Sequence, residues 1–231
     1  MTVFTLKIIA VICMFLDHVK YAIPITDGKV TEYLGRIAFP IFAFLISEGF
    51  IHTHSKPRYM LRMLIFAIIS QIPFHLLAHN LARSKATLNV MFTFEYALIG
   101  LYILDFFKNY NGFPKLLNYA FIIASLSMIL FVVYFVHPDY SWYGVSLVWI
   151  FYLFKKSKIL TTFSFIVINI LYYLVRGADL NEYYPLILFS CLPIVFILLY
   201  NGEKGKSLKY FFYLFYPVHM LILYAINYFF I

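Results

Sequence analysis

The chain has 231 residues, 64% of them hydrophobic and 12% charged. A soluble domain is nearer half apolar and a quarter charged, so an ordinary globular fold is excluded. The net charge of +8 does not indicate nucleic acid, because the basic residues fall in short loops between apolar runs; that is a topology signal and a membrane-surface contact. The expected fold class is all-α, a polytopic transmembrane helical bundle in contact with membrane lipid. Cys13 and Cys191 lie within apolar spans, which predicts free thiols. Lys7 interrupts the first apolar run and no small-residue cleavage site follows, which argues against a cleaved signal peptide.

Apolar runs of bilayer length recur at roughly 4–23, 35–52, 59–78, 89–107, 116–136, 140–154, 159–176, 184–200 and 209–230, predicting about nine spans. The sixth is short for a perpendicular crossing. Pro24, Pro57, Pro114, Pro138 and Pro185 fall near span ends, where proline is tolerated. Pro40, Pro73, Pro193 and Pro217 lie inside spans and are expected to kink them or free backbone carbonyls. No linker, repeat or low-complexity segment divides the chain, so residues 1–231 read as a single domain.

The first span carries three ionisable groups, Lys7, Asp17 and His18. Such groups are expensive in hydrocarbon, so each is a functional candidate. Eleven helical steps bring His18 to within about 20° of Lys7, about 16 Å further along one face. The second span adds Arg36 and Glu48, the fourth Glu95 and the last His219.

Loop charges orient the chain. Lys56, Arg58, Arg62, Lys108, Lys115, Lys155, Lys156, Lys158, Lys204, Lys206 and Lys209 fall at even-numbered loops; Lys20, Lys29, Arg83, Lys85 and Arg176 fall at odd-numbered ones. The positive-inside rule then puts the N-terminus inside and the C-terminus outside, as in a bacterial cytoplasmic membrane. In that frame Asp17, His18, Arg36 and Glu95 form an outer layer, and Lys7 and Glu48 an inner one. Charges in a bilayer pair or line a wet cavity, so a polar channel between the first, second and fourth spans is expected.

Several strings resemble the TraX family of integral-membrane proteins. They are Leu6-Lys-Ile-Ile-Ala-Val-Ile-Cys-Met-Phe-Leu-Asp-His18, Leu34-Gly-Arg-Ile-Ala-Phe-Pro-Ile-Phe-Ala-Phe-Leu-Ile-Ser-Glu-Gly49, Ser70-Gln-Ile-Pro-Phe74, Asn89-Val-Met-Phe-Thr93, Asp139-Tyr-Ser-Trp-Tyr-Gly144 and Phe215-Tyr-Pro-Val-His219. They keep the family's order over almost the whole chain. The family is named for a conjugation protein that acetylates the N-terminus of pilin. It is similar to a wider superfamily of multi-span acyltransferases that use cytoplasmic acyl-CoA and carry an arginine or lysine ten intervening residues before a catalytic histidine. Lys7 and His18 match that spacing, so the resemblance implies acyl transfer with acetyl-CoA as donor co-substrate. The acceptor does not carry over. His75 stands where the family has an acidic residue, and Glu95 is not a position the resemblance covers.

The residues support the same chemistry independently. Acyl transfer from a thioester needs a base for an amine or hydroxyl, and imidazole suits neutral pH. Asp17 or Glu95 is expected to orient His18, and Arg36 to stabilise developing negative charge. Lys7, with Glu48 at its level, is expected to meet the CoA phosphates. His219, beside Pro217, either lines the cavity or satisfies a freed carbonyl. Blander roles weigh against each: Asp17 and His18 as an interfacial polar pair, Arg36 snorkelling, Glu48 neutralising Lys7, Glu95 as a structural hydrogen-bonding group. His52, His54, His75 and His79 lack metal-ligand spacing, and Asn201-Gly-Glu-Lys-Gly-Lys206 is no phosphate loop.

The expected function is therefore acyl-CoA-dependent O- or N-acyltransfer, an acetyl group passing to an envelope glycan, lipid or protein N-terminus. The alternative is a secondary transporter, which equally needs buried charges and broken helices. That reading predicts internal symmetry, and Asp-His occurs once, in the first span.

Overall fold

A computed structural model describes residues 1–22, 28–81, 87–177 and 180–230. Pro24, and Arg83 and Lys85 of the third loop, lie outside the described residues. In chain order the helices are α1 (Val3–Ala22), α2 (Gly28–His52), α3 (Lys56–Phe74), α4 (Val90–Asn109), α5 (Lys115–Val136), α6 (Ser141–Leu153), α7 (Lys158–Val175), α8 (Leu180–Cys191), α9 (Pro193–Leu198) and α10 (Lys209–Phe230). A π-helical segment, His75–Leu81, continues α3 just beyond Pro73. There the His75 N–H is shared between the carbonyls of Gln71 and Ile72, a local rewinding of the kind that proline provokes.

Among the described residues six helices are long and apolar enough to cross a membrane: Lys29–His52, Lys56–Ala78, Val90–Asn109, Lys115–Val136, Lys158–Val175 and Tyr210–Phe229. The sequence predicted about nine spans, and the difference has physical causes. α1 has the length, but Lys7, Asp17 and Lys20 put three charges in it. α6 has 13 residues, only about 20 Å of helix. The run predicted over 184–200 is helical only over Tyr183–Leu198, short for a full crossing, and Pro193, which has no N–H, interrupts its hydrogen bonding where α8 passes into α9. The most apolar helix, α5, has a mean hydropathy of 2.4 with only 6% of that stretch buried in the protein. Such a helix is stable only against lipid, so this is a multi-pass membrane protein.

α1 and α2 pack closely along their lengths, with Leu6, Ala10 and Cys13 buried against Ile37, Ala38, Ile41 and Leu45. Gly35 permits this approach: a Cβ there would lie 2.3 Å from Asp17 Cγ. A Cβ at Gly144 would lie 2.6 Å from Thr93 Cγ2, so α6 likewise meets α4 through a glycine. Polar bonds tie the remaining helices. Trp149 Nε1 donates to the Ala97 carbonyl at 3.0 Å, and the Tyr143 hydroxyl to Asn169 Oδ1 at 2.9 Å. Lys56 pairs with Asp105, which also accepts from the Tyr152 hydroxyl. Without a hydrophobic drive between helices in lipid, such bonds contribute about 1 kcal/mol each. The N-terminus is fastened to the segment before α10, with the Val3 N–H donating to the Glu203 carbonyl at 2.9 Å.

Candidate functional site

Two cavities open within the bundle. The first, about 490 Å³, lies towards the N-terminus of α1 and includes Lys7, Glu48, His52, Arg62, Lys204 and Lys206 in its walls. The second, about 760 Å³, lies at the opposite end and includes Asp17, His18, Lys20, Glu32, Arg36 and Asp139. Met14, Phe42, Val90, Phe94 and Tyr216 line both. These five side chains come from α1, α2, α4 and α10 and form an apolar collar between the two spaces. Met14 is one helical turn from His18 on α1, and Tyr216 three residues from His219 on α10; His18 lines the second cavity, whereas His219, expected as a cavity residue, is buried behind it and lines neither.

His18 Nδ1 lies 2.7 Å from His219 Nε2, with the rings within 7° of coplanar orientation. His219 Nδ1 lies 2.6 Å from the Phe215 carbonyl oxygen. A carbonyl can only accept, so His219 carries its proton on Nδ1 and its neutral Nε2 must accept from His18 Nδ1–H. Neutral His18 therefore presents an unprotonated Nε2. The sequence expected Asp17 or Glu95 beside His18; the hydrogen-bond partner of its Nδ1 is instead His219, which is 3% exposed.

Asp17 Oδ1 instead accepts from Lys20 Nζ at 2.5 Å. Adjacent helix residues differ by about 100° in direction, so Asp17 faces Gly35 while His18 faces α10. Arg36 Nη2 pairs with Glu32 Oε1 at 2.6 Å, one turn earlier on α2. Its buried Nε has no hydrogen-bond partner among the described residues. Arg36 thus shares the second cavity with His18 as expected, already half engaged. Glu95 is buried in α4 and lines neither cavity, and its Oε2 has no hydrogen-bond partner among the described residues.

In the first cavity Lys7 and Glu48 share a wall, as their depth suggested. Lys7 Nζ lies 5.0 Å from the centre of the Phe212 ring. Glu48 Oε2 is 3.6 Å from His52 Nδ1, and its carboxylate accepts from the Tyr200 hydroxyl. Burial and the Glu48 charge push Tyr200 up to about 12. Among the described residues, the cations of this cavity, Lys7, Arg62, Lys204 and Lys206, exceed its single carboxylate, Glu48, and suit an anionic ligand. Arg62, Lys204 and Lys206 were read from sequence only as loop charges, since nothing in their spacing places them around Lys7. Asp139 was also missed as a site residue. It stands in the quoted string Asp139–Gly144, but on the turn between α5 and α6 rather than in an apolar run.

The sequence matches the family described as TraX protein over residues 3–227. It is similar, with 26% identity over 240 residues, to "Probable fimbrial assembly protein FimC, serogroup H1" of Dichelobacter nodosus, and the alignment covers 95% of this chain and 93% of that one. No solved structure matches it.

Proposed function

Because the chain belongs to the TraX family, we propose that it is a membrane acyltransferase that moves an acetyl group from cytoplasmic acetyl-CoA to an amine or hydroxyl acceptor at or across the bacterial cytoplasmic membrane. The observation that carries this reading is His18, which lines the mixed-charge cavity and is bonded to the buried His219, one helical turn from the Met14 that this cavity shares with the cation-rich one. The name of the relative places that protein in fimbrial assembly, so a protein N-terminus stands among the acceptor classes, beside envelope glycans and lipids.

The donor enters from the cation-rich cavity, its phosphates beside Lys7, Arg62, Lys204 and Lys206. Met14 lies seven residues beyond Lys7 and His18 four further, about 10 Å and 6 Å of helix. An extended pantetheine arm spans that distance and brings the thioester through the collar to the histidines. His18 Nε2 takes a proton from the acceptor's nucleophile as that atom bonds to the thioester carbon. The carbon–sulfur bond then breaks, the acetyl group stays on the acceptor, and the leaving thiolate receives the proton from His18. His219 stabilises the transient imidazolium by accepting from Nδ1–H. Arg36 is placed to offer its unpartnered Nε–H to developing negative charge.

The positive-inside pattern supports the orientation, since the cation-rich cavity then faces the cytoplasm. A secondary transporter remains the second reading, because two cavities meeting at a constriction also suit alternating access. Purified protein incubated with labelled acetyl-CoA and an envelope extract separates the two. Acceptor labelling that is lost in His18→Ala supports transfer; consumption of no donor and labelling of no acceptor favours the transporter.

A further inference from the structure

The turn between α5 and α6, together with the first residue of α6, holds three non-glycine residues with positive φ: His137 at 50°, Tyr140 at 61° and Ser141 at 43°. Such conformations persist only where the surroundings over-determine them, and they cluster at functional sites. This turn is pinned on several sides. The Thr87 N–H donates to the His137 carbonyl at 3.0 Å and the Asp139 N–H to the Leu88 carbonyl at 2.8 Å. Thr93 Oγ1 donates to the Asp139 carbonyl, and Ser141 Oγ to that of Val133 at 3.3 Å. The four residues of the turn, 137–140, and the first two of α6 all line the larger cavity.

Among the described residues three carboxylates line that cavity, and two are matched within their own helices: Asp17 by Lys20 and Glu32 by Arg36. Asp139 differs. Its Oδ1 accepts from the Tyr140 N–H at 3.1 Å, and among the described residues it makes no ion pair. The charges that face it are Arg36 from α2, Asp17 from α1 and Arg176 from the end of α7. Both guanidiniums have nearer engagements, Arg36 with Glu32 and Arg176 with the Tyr172 hydroxyl at 2.5 Å. A carboxylate withdrawn from bulk water is costly to keep ionised unless a cation or several donors meet it.

We infer that Asp139 is the acceptor-docking group, its carboxylate holding a protonated amine carried by the acceptor. This rests on the acyltransferase reading, and it adds a requirement: the acceptor is cationic where it enters. The strained turn sets the carboxylate on the wall of the cavity that holds His18, so a docked ammonium positions the rest of the acceptor near the imidazole. Trp142 and Tyr172 in the same wall provide aromatic faces that suit a cation and its alkyl substituents.

The test uses the full-length protein in detergent, labelled acetyl-CoA, and a titrated detergent extract of the envelope of the producing cells. Asp139→Asn keeps an oxygen for the Tyr140 N–H while removing the charge. The expected result is a rise of about tenfold or more in the extract concentration giving half-maximal rate, with the maximal rate near wild type. Asp139→Glu should recover part of the loss. Extract whose amines have been neutralised beforehand with an N-hydroxysuccinimide ester of acetic acid should accept little label. A fall in maximal rate with unchanged half-saturation, or equal labelling of neutralised extract, overturns the docking role while leaving transfer intact. Stabilisation of wild type by acetyl-CoA with no labelled product also counts against the acceptor site. Absence of both stabilisation and labelling overturns the acyltransferase reading itself.

Discussion

His18 and His219 are 201 residues apart in the chain and 2.7 Å apart in space, Nδ1 to Nε2. The bond fixes both tautomers, because the Phe215 carbonyl holds the proton on His219 Nδ1. It leaves His18 Nε2 as the lone pair that can accept a proton. In the proposed mechanism an imidazole takes the place that a carboxylate has in a Ser-His-Asp triad, without adding a second charge to the membrane interior.

His18→Ala should therefore lower single-turnover transfer of labelled acetyl groups by about 10²–10⁴-fold, while acetyl-CoA still stabilises the folded protein. His219→Phe, which keeps an aromatic ring but removes the acceptor nitrogen, should fall between wild type and His18→Ala. Wild-type rates from folded His18→Ala would end the mechanism.

Lys7→Ala should act on donor binding instead, because Lys7 lines the other cavity. A hydrogen bond to a charged group contributes about 1.5–3 kcal/mol, so the Kd for CoA should rise roughly ten- to hundredfold. Arg62→Ala should do the same. Thermal stabilisation titrated with CoA measures it; an unchanged Kd in both variants would place the phosphates elsewhere.

Membrane orientation is checked by single cysteines placed in a background lacking Cys13 and Cys191. Cysteines at Lys156 and Lys204 should react only from the cytoplasmic side, and those at Lys29 and Arg176 only from outside. Reaction of the Lys29 and Lys204 positions from one side would show that the loop-charge pattern misassigns the topology.

Asp139 should show opposite signs for stability and for binding. Burial pushes its carboxyl up to about 6, with Arg36 and Arg176 pulling it down and Asp17 raising it. A folded-state value above the unfolded one means that its stabilising contribution is complete below about pH 4 and is lost as pH rises through about 6. Asp139→Asn should therefore be more stable than wild type at pH 7.5, by about 1–3 kcal/mol, and no more stable at pH 4. Wild-type acceptor affinity should weaken as pH falls below 6. Apparent melting temperatures of both proteins in detergent at the two pH values measure the first effect. Equal melting temperatures at pH 7.5 would mean that the Asp139 charge carries no such cost.

Much was legible in the residues alone. Composition excluded a soluble fold because 64% apolar residues cannot all be buried in a chain this size, and α5 confirms it by facing outward almost entirely. Conserved order of short strings identified the family. Periodicity along α1 set Lys7 and His18 on one face, and the structure finds one in each cavity on either side of Met14. Span count was less legible, because α1 carries its charges into the bundle and Pro193 breaks a run that hydropathy reads as continuous.

Only the tertiary structure decided which charges meet. The sequence suggested Asp17 for His18 from adjacency, but adjacent side chains on a helix diverge, and Asp17 turns to Lys20. Glu95 was placed beside His18 by depth alone, yet depth carries no information about azimuth, and it lies buried in α4 outside both cavities. The partner of His18 comes from α10, and the collar from four helices. Hydrophobic periodicity determines that a helix forms and which face it hides. Which helix it hides that face against depends on close approaches such as Gly35 against Asp17 and Gly144 against Thr93. Those contacts exist only once the helices are packed.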